Sequence, residues 1–237
     1  MLTTIWLPLI TAGAPWQSSN WELSMADGLI DIGVFTDDRT VFDQGVAMWR
    51  ARVPAYIYLR TDGPLPIAPP GGAYRTPVEV NCLWLWTSGP GYTACRAATP
   101  AVPMATFSNG QTQEMCRDFT HVGMSYAALL NAAETARLQG VNLYAEQATR
   151  IQTGLEFAAG LLTGSPAPPG LCANSATPNA ITLTPTPTWE IAYDEFATRA
   201  GLLMPHLQAL VALVRPTGVF KQMAWETLTS AGTGRAG

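Results

Sequence analysis

Apolar residues recur at helical spacing through several long stretches of the chain, and this pattern constrains its fold more than any other feature. The longest stretch runs from Thr112 to Gln139 and ends at Gly140, a typical helix C-cap. Its predicted buried side chains are Phe119, Val122, Tyr126, Leu129, Leu130 and Ala133. Hydrophobic residues make up 48% of the 237 residues and charged residues 13%, which excludes a disordered chain. The sequence therefore predicts a mainly α-helical fold.

Further helices are predicted on both sides of this stretch. Ser19-x-x-Glu22 is typical of a capping box, and it would open a helix from about Asn20 to Phe35. The apolar positions of that helix include Leu23, Leu29, Ile30 and Val34. A second helix would begin at Thr36-Asp37-Asp38, bury Val41, Phe42, Val46 and Trp49, and end before Pro54. The remaining predicted helices are Tyr144 to Thr163, Trp189 to Ala200, Pro205 to Val214 and Phe220 to Thr229. Helices in this order favour antiparallel helical hairpins.

Two segments depart from the helical pattern. Residues 54–110 are dense in proline and glycine and predict a long irregular insertion, with a β-hairpin between Cys82 and Cys95 as one possibility. Residues 230–237 are polar and glycine-rich, so we expect a frayed tail. The chain as a whole, residues 1–237, is interpreted as a single domain.

Charge and cysteine usage exclude several classes of function. The net charge is −4, and the scattered lysines and arginines form no basic stripe, so no nucleic-acid partner is expected. No apolar run reaches the length of a membrane span, and the apolar start of the chain lacks the basic residues of a signal peptide. Four cysteines suit an exported protein, but they allow three pairings. Two histidines without metal-ligand spacing predict no metal site, and nothing indicates a cofactor.

The strongest chemical pattern lies in the run Gln113 to His121. Arg117 and His121 are spaced i, i+4, so a helix there would project both from one face, with Asp118 and Ser125 near it. An imidazole can exchange protons near neutral pH, and a guanidinium can bind a carboxylate through two donors. A structural histidine is the alternative interpretation of His121, and an N-terminal helix position is the alternative for Asn20.

Several segments resemble the alginate-lyase family of α/α-toroid polysaccharide lyases. They are Ser19 to Leu23, Val41 to Val46, Gln113 to His121, Asn131 to Tyr144 and Trp189 to Tyr193. The resemblance implies an α/α toroid and secretion or a periplasmic location. Members of the family usually begin earlier, with an export signal and more helices. The resemblance therefore implies that Met1 falls inside the fold, so that the sequence is either a fragment with an incomplete toroid or an unusually small toroid. Such a chain could be inactive.

The resemblance also implies an activity, the cleavage of a uronic-acid polymer by β-elimination. His121 would be the general base or acid, Arg117 and Asn20 would neutralise the substrate carboxylate, and Tyr193 would be a weaker candidate for proton transfer. The expected substrate-binding residues are Trp21, Glu114, Trp189 and Glu190. The family carries a histidine where this chain has Trp21, and its catalytic tyrosine falls near His121, so the acidic polysaccharide that serves as partner stays open between alginate, glucuronan and other polyuronates.

Two alternative functions remain open from the sequence. A glycoside hydrolase on the same scaffold would need two carboxyl groups, and Asp118, Glu114 and Glu190 are the available acids. A non-catalytic carbohydrate-binding protein is the other alternative, and it would apply if the missing helices carried essential residues.

Overall fold

The computed structural model describes residues 1–69, 71, 74, 76–86, 106–172, 188–215 and 229–230. Over these residues the protein is mainly helical, as predicted, and its only β-pairing is an antiparallel bridge between Ile57 and Thr112. The helices are α1 (Leu7–Ile10), α2 (Ser19–Phe35), α3 (Arg39–Tyr56), α4 (Pro77–Trp86), α5 (Phe119–Leu138), α6 (Leu143–Glu146), α7 (Ala148–Leu162), α8 (Trp189–Tyr193) and α9 (Pro205–Val214). Two π-helical turns, Leu2–Trp6 and Asp194–Arg199, and a 3-10 turn, Arg60–Asp62, complete the set. None of the described helices is both long and apolar enough to cross a membrane.

Helices α2 and α3 pack closely across a short connection, residues 36–38. Asp38 begins α3, because its carboxylate accepts the backbone N–H groups of Thr40 and Val41 at 3.0 and 3.2 Å. The predicted inward positions of α3 are confirmed, since Val41, Phe42, Val46 and Trp49 are all buried. Of the apolar positions of α2, Leu23, Leu29 and Ile30 are buried, and Val34 is exposed in the last turn.

The predicted end of α3 is wrong, because the helix continues through Pro54 to Tyr56. Proline removes one hydrogen-bond donor and disfavours helical geometry in the residue before it. Val53, Ala55 and Tyr56 are nonetheless all fully buried, so packing of the last turn in the core outweighs that local cost. The extra turn carries the chain to Ile57, where the bridge to Thr112 forms.

The predicted start of α5 is also wrong. The helix begins at Phe119 with Asp118 as its N-cap, and residues 112–118 form turns instead of helix. Thr112 and its neighbours are tied to the end of α3, since Gln113 N–H donates to the carbonyl of Tyr56 at 3.0 Å. The helical periodicity itself is confirmed: Phe119, Val122, Tyr126, Leu129, Leu130 and Ala133 are buried. α5 packs on α2, and the two helices form the centre of the main core.

The segment 54–110, expected to be irregular, contains helix α4. Thr76 and Glu79 begin this helix by a reciprocal pair of side-chain to backbone hydrogen bonds, at 3.2 and 3.1 Å. A β-hairpin starting at Cys82 is therefore wrong, and Cys95 lies outside the described residues. Trp84 is buried in a small second core with Phe107, their ring centroids 5.5 Å apart.

The C-terminal predictions are confirmed in part. The helix expected over Tyr144 to Thr163 is split into α6 and α7, and the one expected over Trp189 to Ala200 is α8 followed by the π-helical turn. The helix Pro205–Val214 is α9, as predicted. The helix expected from Phe220 to Thr229 and the tail of residues 230–237 lie, apart from residues 229–230, outside the described residues.

Candidate functional site

The candidate site forms where the turns of residues 112–118 meet the N-terminus of α2. The backbone N–H of Asn20 donates to Glu114 Oε2 at 3.3 Å, and the Ser19 hydroxyl donates to the side-chain oxygen of Gln113. α5 begins directly after these turns, so the N-termini of two long helices lie next to each other. Helix N-termini present unpaired N–H groups and a partial positive charge, which favours anions there.

Arg52 lies in the interior beneath this junction and is completely buried. Its guanidinium pairs with Glu22 at 3.1 Å and donates to the side-chain oxygen of Gln113 at 2.9 Å and to the carbonyl of Gln17 at 3.2 Å. Burial lowers the pKa of Arg52 and raises that of Glu22, and their mutual attraction opposes both shifts. One buried cation thus joins α3, α2 and the turns of the site.

This use of Glu22 corrects the predicted capping box. Ser18, not Ser19, is the N-cap of α2, and no side chain caps the helix. The Glu22 carboxylate turns inward to Arg52, because an uncompensated buried guanidinium would be far more costly than an uncapped N–H.

Asp118 and His121 form a hydrogen-bonded pair at the surface of the site. His121 Nδ1 lies 2.7 and 2.8 Å from the two carboxylate oxygens of Asp118, and the backbone N–H of His121 donates to the same carboxylate at 2.8 Å. Burial raises the pKa of Asp118, but the bonds from His121 and the charge of Arg117 outweigh it, so the pKa is below its ordinary value. An ionised Asp118 can only accept at Nδ1, so in a neutral imidazole the free lone pair is on Nε2.

Arg117 is not on the helix face where the sequence predicted it. It precedes the N-cap Asp118, so the i, i+4 relationship with His121 is not a helical one. The two residues still belong to one cluster, because the Arg117 guanidinium lies 3.7 Å from Asp118 and 3.6 Å from Glu114. About a third of the Arg117 side chain is exposed.

Glu114 is fully buried, although the sequence suggested a role in substrate contact. Its Oε2 accepts the Ser125 hydroxyl at 2.7 Å, while Oε1 accepts no hydrogen bond from a described residue. Burial is the largest influence on Glu114 and raises its pKa, against the hydrogen bond from Ser125 and the positive charges of His121 and Arg117. Because its side chain is buried, Glu114 can affect the surface of the site only through the residues that it contacts.

Asn20 and Trp21 lie at the first turn of α2. Asn20 is more than nine-tenths buried, and its Oδ1 accepts no hydrogen bond within the described part of the chain. Trp21 is 53% exposed, and Trp16, which the sequence did not single out, is 57% exposed just before the helix. Both indoles thus offer open surface close to the cluster.

The α8 residues do not join this cluster. Trp189 is buried with its ring 5.3 Å from that of Tyr126, and Glu190 is buried and pairs with Arg215 at 2.7 Å. The structure places both in the interior, so neither presents a face to a polysaccharide. Tyr193 is half-buried against the main core. No contact among the described residues links Tyr193 to Asn20, Arg117 or His121.

A disulfide also holds the turns of the site. Cys116, directly before Arg117, is bonded to Cys172, 56 positions further along the sequence. Cys82 is disulfide-bonded as well. The pairing that the sequence left open is thus settled for Cys116, and it ties the turns of the site to the segment after α7.

Arg52 is the residue of this site that the sequence analysis did not single out. It follows Trp49 by three residues and precedes Tyr56 by four, which is the spacing of the buried face of α3. A lone arginine in an otherwise apolar stripe is the signal that would have found it. Within the described residues, no group of histidine, cysteine, aspartate and glutamate is arranged to hold a metal ion. Comparison with protein-family models, with curated proteins and with solved structures finds no match.

Proposed function

We propose that the protein is a polysaccharide lyase that cleaves a uronic-acid polymer by β-elimination, on a scaffold of the α/α-toroid type. The observation that carries the proposal is the oriented His121 imidazole, which Asp118 holds beside Arg117. A charged polymer suits this site because two helix N-termini and a guanidinium meet there.

The first step of β-elimination is neutralisation of the uronate carboxylate. Arg117 and the side-chain amide of Asn20 would donate to its two oxygens, which makes the proton on C5 more acidic. The Arg117 guanidinium lies between two acids, 3.6 Å from Glu114 and 3.7 Å from Asp118.

The second step is proton transfer by His121. Nε2 removes the C5 proton, the electrons of the C–H bond form the C4–C5 double bond, and the C4–O bond breaks. The imidazolium then returns the proton to the leaving glycosidic oxygen when that oxygen lies on the same face of the ring. Asp118 stabilises the imidazolium through the bond to Nδ1.

A glycoside hydrolase is less well supported by the same geometry. Glu114 has a raised pKa and Asp118 a lowered one, which is the division of roles that an acid and a nucleophile need. Both carboxyls of a glycosidase must reach the glycosidic bond, however, and Glu114 is fully buried. The lyase is therefore the better proposal.

Secretion or a periplasmic location is part of the proposal. The Cys116–Cys172 disulfide and the bonded Cys82 suit an oxidising compartment, where an extracellular polymer is also available.

The test is incubation with alginate and with polyglucuronate while ultraviolet absorbance is followed. An unsaturated uronate product absorbs, and a hydrolysis product does not. We expect absorbance to rise with the wild-type protein and not with His121→Gln. Saturated reducing ends would favour the hydrolase, and binding without turnover would favour a carbohydrate-binding protein. If no uronate polymer yields the unsaturated product, the lyase proposal is wrong.

A further inference from the structure

An open cavity of about 410 Å³ lies where the last turns of α2 and α5 meet the N-terminal segment. Its size falls within the range of small-molecule binding sites. Asp31 and Thr135 bring polar side chains to a lining that is otherwise apolar. The residues of that lining are Leu2, Asp31, Ile32, Val34, Phe35 and Thr135. A ligand that matches it is therefore mostly apolar and carries one polar group.

The cavity is separate from the proposed catalytic cluster. Asp31 follows Asn20 by eleven residues on α2, which places it about 16 Å further along the helix axis. Thr135 likewise lies near the end of α5, whereas His121 lies near its start. The C-terminal end of a helix carries a partial negative charge, so two helix ends favour a cation here.

Asp31 is an acid of this cavity that no cation neutralises. Its Oδ1 accepts the Thr135 hydroxyl at 3.1 Å, and no residue of the described ranges donates to its Oδ2. The apolar surroundings raise the pKa of Asp31, and the hydrogen bond from Thr135 offsets this only in part. By contrast, the shielded Asp62 is paired with Arg150 at 2.7 Å. The carboxylate of Asp31 thus has one free oxygen and an unbalanced charge.

A second acid lies one helical turn earlier on α2. Asp27 and Asp31 are spaced i, i+4, so they lie on the same side of the helix. Oδ1 of Asp27 is buried and accepts no hydrogen bond from the described part of the chain. Burial raises the pKa of Asp27 well above its ordinary value, and the charge of Asp31 raises it further. A cation at Asp31 would reduce the repulsion between the two acids.

We propose that this cavity binds a small amphipathic cation, in which an apolar chain carries a primary ammonium group. The ammonium donates to the free Oδ2 of Asp31, and the chain covers the apolar side chains of Val34 and Phe35, which are exposed in the protein alone. A neutral ligand of the same shape gains only the apolar contact. An anionic ligand is repelled by both acids and by the two helix ends.

The experiment is calorimetric titration of the intact protein at pH 7 with three probes of equal chain length: octylamine, octanol and octanoate. We expect octylamine, which is protonated at this pH, to bind roughly fivefold more tightly than octanol, the upper range for a partly exposed ion pair. Octanoate should bind most weakly. Equal affinity for octylamine and octanol, or no binding of octylamine, overturns the proposal.

Two variants place the binding in this cavity. Asp31→Asn keeps an oxygen that accepts from Thr135 and removes the charge, so the preference for octylamine over octanol should disappear. Phe35→Ala removes an exposed apolar side chain, so the affinities for both probes should fall. Asp43→Asn is the control, because Asp43 is an exposed acid on α3 outside the lining, and it should leave both affinities unchanged. Wild-type binding in either cavity variant shows that the probe binds elsewhere and overturns the proposal.

Discussion

Nδ1 of His121 lies 2.7 Å from the same Asp118 oxygen that accepts the backbone N–H of His121 at 2.8 Å. One carboxylate oxygen therefore caps helix α5 and orients the imidazole. The capping bond fixes Asp118 relative to the helix, and the bond to Nδ1 fixes the ring relative to Asp118. The direction of Nε2 is thus determined by the start of the helix itself, which is a rigid element.

Asp118→Asn separates the two tasks of this carboxylate. Asparagine caps a helix about as well as aspartate, so the free energy of unfolding should change little. The loss of the charge removes the preference for the productive tautomer of His121, and kcat/KM on a polyuronate should fall by at least about a hundredfold. Chemical denaturation and initial rates measure the two effects. Asp118→Ala is the matched variant, and it should additionally lose about 1 kcal/mol of stability. Equal activity of Asp118→Asn and wild type would contradict the assigned role.

His121→Gln should abolish proton transfer while leaving the fold and the carboxylate-binding residues in place. We expect kcat to fall by about 10²- to 10⁴-fold, with the affinity for the polymer changed far less. Initial rates by ultraviolet absorbance and calorimetric binding check this. His206→Gln is the control, because His206 is exposed and lies on α9, away from the cluster. A folded His121→Gln protein with wild-type kcat would remove His121 from the mechanism without excluding the enzyme class.

Arg117→Lys tests recognition of the substrate carboxylate. Lysine keeps the charge but loses the planar pair of donors, so KM for a polyuronate should rise by roughly tenfold. On a methyl-esterified polyuronate, which lacks the carboxylate charge, the variant and the wild type should have similar KM values. Arg39→Lys is the control, because Arg39 forms an exposed ion pair with Asp43 on α3. An equal loss on both polymers would show that Arg117 only supports the fold.

The buried faces of the helices were predictable from the sequence, and two helix ends were not. Apolar spacing located the inward residues of α3 and α5 because burial of those side chains is what stabilises the helices. Pro54 suggested that α3 ends before it, but the helix continues to Tyr56 because Tyr56 packs in the core. The start of α5 was predicted too early, at Thr112. The apolar pattern continues on both sides of Asp118, so the pattern does not mark Asp118 as the N-cap.

The site was predictable as a set of residue types but not as an arrangement. Asn20, Arg117 and His121 come together through a turn that binds to the first turn of α2, a contact between residues 94 positions apart. No local pattern encodes such a contact. Burial of individual side chains was not predictable either. Glu114, Trp189 and Glu190 have side chains that suit a binding site, yet tertiary packing buries all three.

Removal of the Cys116–Cys172 disulfide should loosen the turn that carries Arg117. In Cys116→Ala/Cys172→Ala we expect a loss of about 2–4 kcal/mol in the free energy of unfolding, because the unfolded chain gains freedom. KM should rise as well, since the adjacent Arg117 loses its fixed position. Urea denaturation and kinetics on a polyuronate measure both. A variant that loses stability but keeps KM would show that the turn is held sufficiently by its bonds to α2 and α3.

Asp62 and Arg150 should make the stability of the protein depend on pH. Their side chains are mostly buried and pair twice, at 2.7 and 2.8 Å, and Arg150 also donates to the carbonyl of Ile57, next to the bridge that leads to the site. Burial alone raises the pKa of Asp62, but the hydrogen bonds from Arg150 and from the Leu59 N–H, with the charge of Arg150, bring it below the ordinary value.

The sign of the pH effect follows from that direction. The pKa of Asp62 is lower in the folded protein than in the unfolded chain. Its contribution to the free energy of unfolding is therefore complete above the unfolded pKa of about 4, and it is lost as the pH falls through the folded pKa.

Asp62→Asn should therefore be less stable than wild type by about 3 kcal/mol at pH 7, and the difference should narrow as the pH falls toward 3. Asp43→Asn, at the exposed pair with Arg39, should change stability by less than about 0.5 kcal/mol. Urea unfolding at a series of pH values measures these differences. If the free energy of unfolding depends on pH in the same way for wild type and Asp62→Asn, the Asp62–Arg150 pair does not anchor α7 to the segment that follows α3.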